Sequence, residues 1–181
     1  MLQDLPRRKL TRMFRYLDDD GDGVLVRGDY DRICRSLLRV LAAPPGSEGE
    51  AEIEASYATE WAELEELSAA RGDGRVTLEL WLAYREEQLR GPDAFEVMID
   101  PYVGTVFTHL DRDGDGRLTS DDVRRYLGLY GMPAEDLDEI LEKLDTERRG
   151  AFTRVEIGEL ARQFYFSTDE RAPGSWLLGR W

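Results

Sequence analysis

The chain has very little of several things that would commit it to a chemistry. Of its 181 residues one is cysteine, Cys34, and one is histidine, His109. A single thiol closes no internal disulfide and gives no sign of an oxidising compartment. Placed in a helical stretch, Cys34 reads as a buried, inert side chain. With no histidine pair, no nucleophile beside a base and no phosphate-cradling loop, an enzyme is not expected. His109 reads as a packed or surface residue rather than a ligand. Lysine is down to Lys9 and Lys143, the other basic residues being arginine, a bias that suggests a GC-rich, bacterial genome. Four methionines, one of them Met1, do not make an adaptable methionine-rich surface. No run of about eighteen apolar residues offers a membrane span. The start lacks both the apolar run of a signal peptide and the second-position glycine of myristoylation, so a cytoplasmic location is expected. Basic residues number 24 against 38 acidic ones, a net charge of −14. That balance argues against nucleic acid and anionic membranes as partners.

The acids are arranged rather than scattered. Asp111, Asp113 and Asp115 alternate, Gly116 follows, and Asp122 stands six residues beyond the glycine. Such a segment can wrap a hard cation in oxygen: three side chains, the backbone carbonyl of Arg117, and Asp122 returning from the next helix. Gly116 suits the sharp turn, which needs a φ that a side chain resists. The segment resembles the EF-hand calcium loop, a motif whose spacing is unusually specific.

The pattern repeats. Asp18, Asp20, Asp22, the carbonyl of Val24 and Asp29 hold the same five places around Gly23. A later copy around Gly150 offers Asp145, Glu147, the carbonyl of Ala151 and Glu156, with Arg149 at the fifth place. An arginine there opposes a bound cation, so that loop is expected to be vacant or weak. The copy around Gly74 has lost the chemistry. Ala69, Arg71 and Leu80 occupy its first, third and closing places, and only Asp73 and Glu79 remain as stray acids. Two residues after the glycines stand Leu25, Val76, Leu118 and Phe152. In EF-hands that apolar place forms a short antiparallel bridge between paired loops.

Between the loops the apolar residues recur at helical spacing. Helices are expected from about Leu2 to Leu17, after the first loop to Leu41, and over about 50–67, with Tyr57, Trp61, Leu64 and Leu67 facing inward. Others follow over about 78–90, 93–110 (with Pro101 kinking or interrupting it), 123–131, from Pro133 to Leu144, and 155–166. Breakers at Ala42-Ala43-Pro44-Pro45-Gly46-Ser47 mark a linker. Gly91-Pro92-Asp93 divides residues 1–91, an N-terminal pair of hands, from 92–181, a C-terminal pair with an apolar tail. The expected architecture is all-α: four EF-hand helix-loop-helix units in two compact pairs. Trp176, Leu177 and Leu178 are expected to fold back over an apolar groove between the halves.

The four hands, the degenerate second loop and the ending Phe164-Tyr165…Ala172-Pro173-Gly174-Ser175-Trp176-Leu177-Leu178-Gly179 resemble the bacterial calerythrin group. These are relatives of sarcoplasmic calcium-binding proteins and calexcitins. The resemblance implies a calcium buffer or signal transducer with two Ca²⁺ sites, in the first and third loops, and a third open to question in the fourth. Asp29 and Asp122 depart from the usual closing glutamate. One methylene shorter, they favour six-coordination and so let Mg²⁺ compete. Divalent cations are the expected partners of a monomer. A sensor exposing a groove to a target protein helix is the alternative, as is a magnesium-loaded interaction module.

Overall fold

The computed structural model describes residues 3–72 and 74–180. Leu2 and Asp73 lie outside the described residues. The chain runs α1 (Asp4–Leu17), β1 (Val24–Leu25), α2 (Arg27–Leu41), α3 (Glu48–Arg71), β2 (Val76–Thr77) and α4 (Leu78–Gln88). A π-helical turn, Phe95–Ile99, then leads into α5 (Asp100–Leu110), β3 (Arg117–Thr119), α6 (Ser120–Gly128), α7 (Ala134–Leu144), β4 (Ala151–Thr153) and α8 (Arg154–Phe166). A 3₁₀ turn, Pro173–Trp176, closes the described fold. The fold is all-α, as expected, with strands only two or three residues long.

Those strands join the loops in twos. β1 pairs antiparallel with β2, placing Leu25 opposite Val76. β3 pairs with β4, placing Leu118 opposite Phe152. All four apolar residues are buried, so each pair of loops is pinned by a bridge whose side chains enter the core. Every loop also turns at the same two places. The φ angles are +70° and +82° at Gly21 and Gly23, and +91° and +62° at Gly72 and Gly74. They are +70° and +79° at Gly114 and Gly116, and +53° and +67° at Arg148 and Gly150. Even the degenerate second loop therefore keeps both of these turns.

One continuous core draws on helices from both halves of the chain. It contains Leu10 and Phe14 of α1, Leu37 of α2, Leu64 of α3, Trp81 of α4, Leu127 of α6 and Phe164 of α8. Burying such a side chain contributes roughly 1.5–3 kcal/mol of transfer free energy. Cys34 is buried with them, and desolvation raises its thiol pKa. The tail returns onto α7 and α8, where Leu178 enters the core. There the backbone of Gly174 donates to the Gln163 side chain at 2.8 Å.

Two expectations need correction, and a third becomes specific. Leu67 does not face inward: it is 43% exposed, because the buried face of α3 runs through Trp61, Leu64 and Ser68 and Leu67 lies off it. The helix expected over 93–110, kinked or interrupted by Pro101, is interrupted just before that residue by a wide turn, in which the Asp100 N–H reaches back to the Phe95 carbonyl. Pro101 then sits in the first turn of α5, where its missing N–H is no loss. The helix after the third loop stops at Gly128, short of the expected 131, with Gly131 in a turn at φ +72°.

Candidate metal centre

In the first loop each alternate aspartate folds the backbone around itself. Asp18 accepts the N–H groups of Gly21 at 3.1 Å and Gly23 at 2.9 Å. Asp20 accepts from Asp22 at 3.2 Å, and Asp22 from Val24 at 2.8 Å. These short-range bonds are what aspartate does well in turns. They leave oxygens of Asp18, Asp20 and Asp22 within 4.8 Å of one another. The third loop repeats the device. Asp111 accepts from Gly116 at 3.0 Å, Asp113 from Asp115 at 3.4 Å, and Asp115 from Arg117 at 2.8 Å. Asp111, Asp113 and Asp115 form the second triad within the same 4.8 Å.

Three carboxylates at such range repel one another, and no arginine or lysine pairs with either triad in the described ion pairs. A hydrogen-bonded acidic turn would satisfy its buried oxygens. Here the buried Oδ1 of Asp111 has no hydrogen-bond partner, and an orphaned buried acceptor calls for an explanation such as an ion. Hard oxygens, alternate spacing and left-handed glycines fit a Ca²⁺-type or Mg²⁺-type ion.

The closing aspartates stand apart from both triads. Asp29 accepts from Val26 N–H at 2.8 Å and from Asp19 N–H at 3.4 Å. Asp122 gives one oxygen to the N–H of Thr119 at 2.8 Å and to its hydroxyl at 2.5 Å. Its other oxygen pairs with Arg125, one turn along the same helix. Both acids thus act as helix caps. Val24 and Arg117, whose carbonyls are the seventh-place candidates, open β1 and β3.

The fourth loop has drawn its own cation inward. Arg149 pairs with Glu147 at 3.2 Å and, more closely, with Glu156. Glu156 also accepts the Thr153 N–H at 2.7 Å. Asp145 accepts N–H groups from Arg149 and Gly150 at 3.0 and 2.7 Å. The guanidinium holds together the acids that an ion would otherwise gather. Ala151 lies in β4, and among the described residues no acidic triad forms here.

The second loop differs at its entry. Ala69 and Arg71 are still inside α3, so no side chain at those places could turn toward a loop centre even if it were acidic. Glu79 is drawn to Arg7 of α1 at 2.9 Å, and Asp73 lies outside the described residues. His109 belongs to neither acidic triad, and its Nδ1 meets the Thr105 carbonyl at 2.8 Å. A residue that spacing alone did not single out is Arg32, which donates to the Tyr16 and Leu17 carbonyls at 2.9 and 3.0 Å. It closes the end of α1 just where the first loop begins.

No family model matches the chain. The chain is 29% identical over 186 aligned positions to the sarcoplasmic calcium-binding protein beta chain of Penaeus sp., covering 94% of each. It is 22% identical to calerythrin of Saccharopolyspora erythraea, over 87% of this chain and 90% of that one. A Streptomyces coelicolor calcium-binding protein shares the fold, with a TM-score of 0.65 and 24% identity over 91% of this chain and 99% of its own. Likeness over so much of each chain covers both pairs of loops, and not one loop alone. Over most of its length the chain is thus similar to EF-hand proteins of the calerythrin and sarcoplasmic calcium-binding protein type, and it has their fold.

Proposed function

We propose that the protein binds Ca²⁺ in its first and third loops and acts as a cytoplasmic calcium buffer or signal transducer, without enzymatic activity. The observation that carries this reading is the orphaned, buried Oδ1 of Asp111 inside a triad of acids. Asp18, Asp20 and Asp22 with the Val24 carbonyl would hold one ion. Asp111, Asp113 and Asp115 with the Arg117 carbonyl would hold the other. Asp29 and Asp122 would close the cages directly or through water. The relatives named above are calcium-binding by name, which supports the same ion here.

The fourth loop is read as filled by Arg149, so Asp145, Glu147, the Ala151 carbonyl and Glu156 bind weakly or not at all. Buffering is favoured over sensing because four methionines supply little adaptable surface for a target helix. Calcium-dependent retention on an apolar chromatographic matrix would instead mark a sensor. A monomer is expected.

The deciding experiment is calorimetric titration of the metal-free protein with Ca²⁺, with and without millimolar Mg²⁺. Two calcium equivalents that survive magnesium support the reading. Loss of the calcium signal would make the protein a magnesium-loaded module, its short closing aspartates having decided the ion.

A further inference from the structure

The core is hollow. A cavity of about 710 Å³ lies among the helices of both halves, within the roughly 300–1,000 Å³ typical of small-molecule sites. It is open to solvent on one side, and its size and mostly apolar wall are those of a small-molecule pocket. Most of its wall is aliphatic or aromatic. Seven tyrosines line it; the hydroxyls of Tyr30 and Tyr84 are taken up by Glu60 and Glu63, which leaves five phenols: Tyr57 of α3, Tyr102 of α5, Tyr126 of α6, Tyr130 just beyond it, and Tyr165 of α8.

The hydroxyls of Tyr102 and Tyr126 lie 3.3 Å apart. Each of the five side chains is only partly buried by surface area, yet desolvation raises every one of their pKa values. Both facts hold at once if their free surface faces an internal space. The phenols therefore stay neutral, each able to donate or accept one hydrogen bond.

At one side of the cavity Glu60 pairs with Arg85 and accepts from Tyr30 at 2.6 Å. The buried Nε of Arg85 has no partner, leaving a donor for an acceptor oxygen. Glu52 and Glu63 also line the space, so its walls carry more negative than positive charge and disfavour an anion. The described lining contains no histidine and no cysteine, which points to holding a molecule and not to transforming it.

A way in is also visible. Val97 and Met98 of the π turn line the cavity, yet they are 71% and 36% exposed. Ala55 and Thr59 of α3 border the same space and are exposed as well. π-helical turns are rare, and they concentrate at functional sites.

We propose that this cavity, entered between α3 and the π turn, binds an uncharged aromatic small molecule carrying a hydroxyl or carbonyl oxygen. The aromatic body fills the apolar wall, and the oxygen meets the tyrosine hydroxyls and Arg85. Leu17 and Leu110, which immediately precede Asp18 and Asp111, belong to the same wall. A change at either acidic loop thus reaches the cavity without any long relay.

The test uses the full chain and a matched pair of fluorescent probes, neutral 1-anilinonaphthalene and its anionic 8-sulfonate. One equivalent of the neutral probe should bind, at least about tenfold more tightly than the sulfonate. Val106→Phe, which adds bulk to the lining, should weaken the neutral probe by about tenfold or more, the scale of an overpacking cost, with helical circular dichroism retained. Should that variant not fold, Tyr126→Phe keeps the volume and removes one hydroxyl. It should weaken 1-naphthol several-fold and leave naphthalene unchanged. Failure of the neutral probe to bind, preference for the sulfonate, or binding that a folded Val106→Phe or Tyr126→Phe leaves unaltered for every probe would overturn the proposal.

Discussion

The four loops are near-copies, so a residue in one can be judged against its counterparts. At the ninth place three loops carry threonine: Thr77, Thr119 and Thr153 each cap the following helix by accepting a backbone N–H. The first loop has Val26 there, with no side-chain cap and 54% exposed. Val26→Thr should therefore stabilise the metal-free protein by about 1 kcal/mol, the usual worth of such a cap. Urea unfolding would read it, and an unchanged midpoint would mean that Asp29 alone already closes the helix. The twelfth place allows a second comparison. Glu156 caps Thr153 with one oxygen and still reaches the loop interior with the other, where it meets Arg149. Asp122 caps Thr119 equally well, but its second oxygen goes to Arg125 on its own helix. One methylene makes that difference. Asp122→Glu should tighten calcium by on the order of tenfold, about 1.4 kcal/mol; calorimetry of the third loop showing no change would refute the argument.

Two contacts between elements show how α1, α8 and the tail are locked together. Gly174 lies so close to α8 that a Cβ there would stand 2.1 Å from the Leu160 carbonyl oxygen and 2.7 Å from the Cβ of Gln163. Backbone cannot yield to that, so Gly174→Ala should lift the tail. The expected cost is about 2–3 kcal/mol, seen as a lower unfolding midpoint and as protease cleavage near residue 170. The other contact is Lys9, which is 1% exposed and donates to the carbonyls of Gln163 and Ser167 at 2.8 and 2.9 Å. Burial pulls its ammonium pKa from 10.5 down to about 8, while the two carbonyls hold the charge in place. Between those values the unfolded chain binds the extra proton, so stability should rise with pH across that window, by roughly 1–3 kcal/mol. Lys9→Met should flatten this rise in unfolding measured from pH 7 to 10. Much of this scale was legible beforehand, because helical periodicity and the loop repeat fix where elements begin and which loops face one another. Two elements escaped. Nothing in the run from Leu67 onward signals that α3 would continue through the second loop's ligand places. The π turn depends on how the chain before Pro101 meets α8, where Arg154 donates to the Asp100 carbonyl at 2.8 Å. The cavity was hidden for the same reason: a tyrosine at helical spacing looks like core whether its hydroxyl meets a neighbour or an empty space.

At the scale of the molecule the question is whether the two acidic loops act on one structure or on two. Leu17 and Leu110, each one residue before a triad, belong to a single core, as do Leu25, Leu118 and Phe152 from the strand bridges. Without ions the chain carries fourteen excess negative charges, of which two bound divalent ions would offset four. It also carries two triads of mutually repelling acids attached to that core. Each site, at calcium a hundredfold above its dissociation constant, should add about 2.7 kcal/mol to folding, hence about 5 kcal/mol for both. For a chain of this length that corresponds to a rise of roughly 10–20 °C in the unfolding midpoint. Because both loops draw on the same core, the rise should appear as the shift of one cooperative transition, with Asp111→Asn and Asp18→Asn each removing part of it from that same transition. Scanning calorimetry decides the matter. Two separate peaks, one moved by Asp18→Asn and the other by Asp111→Asn, would show instead that the hands unfold as independent pairs and that the shared core couples them only weakly.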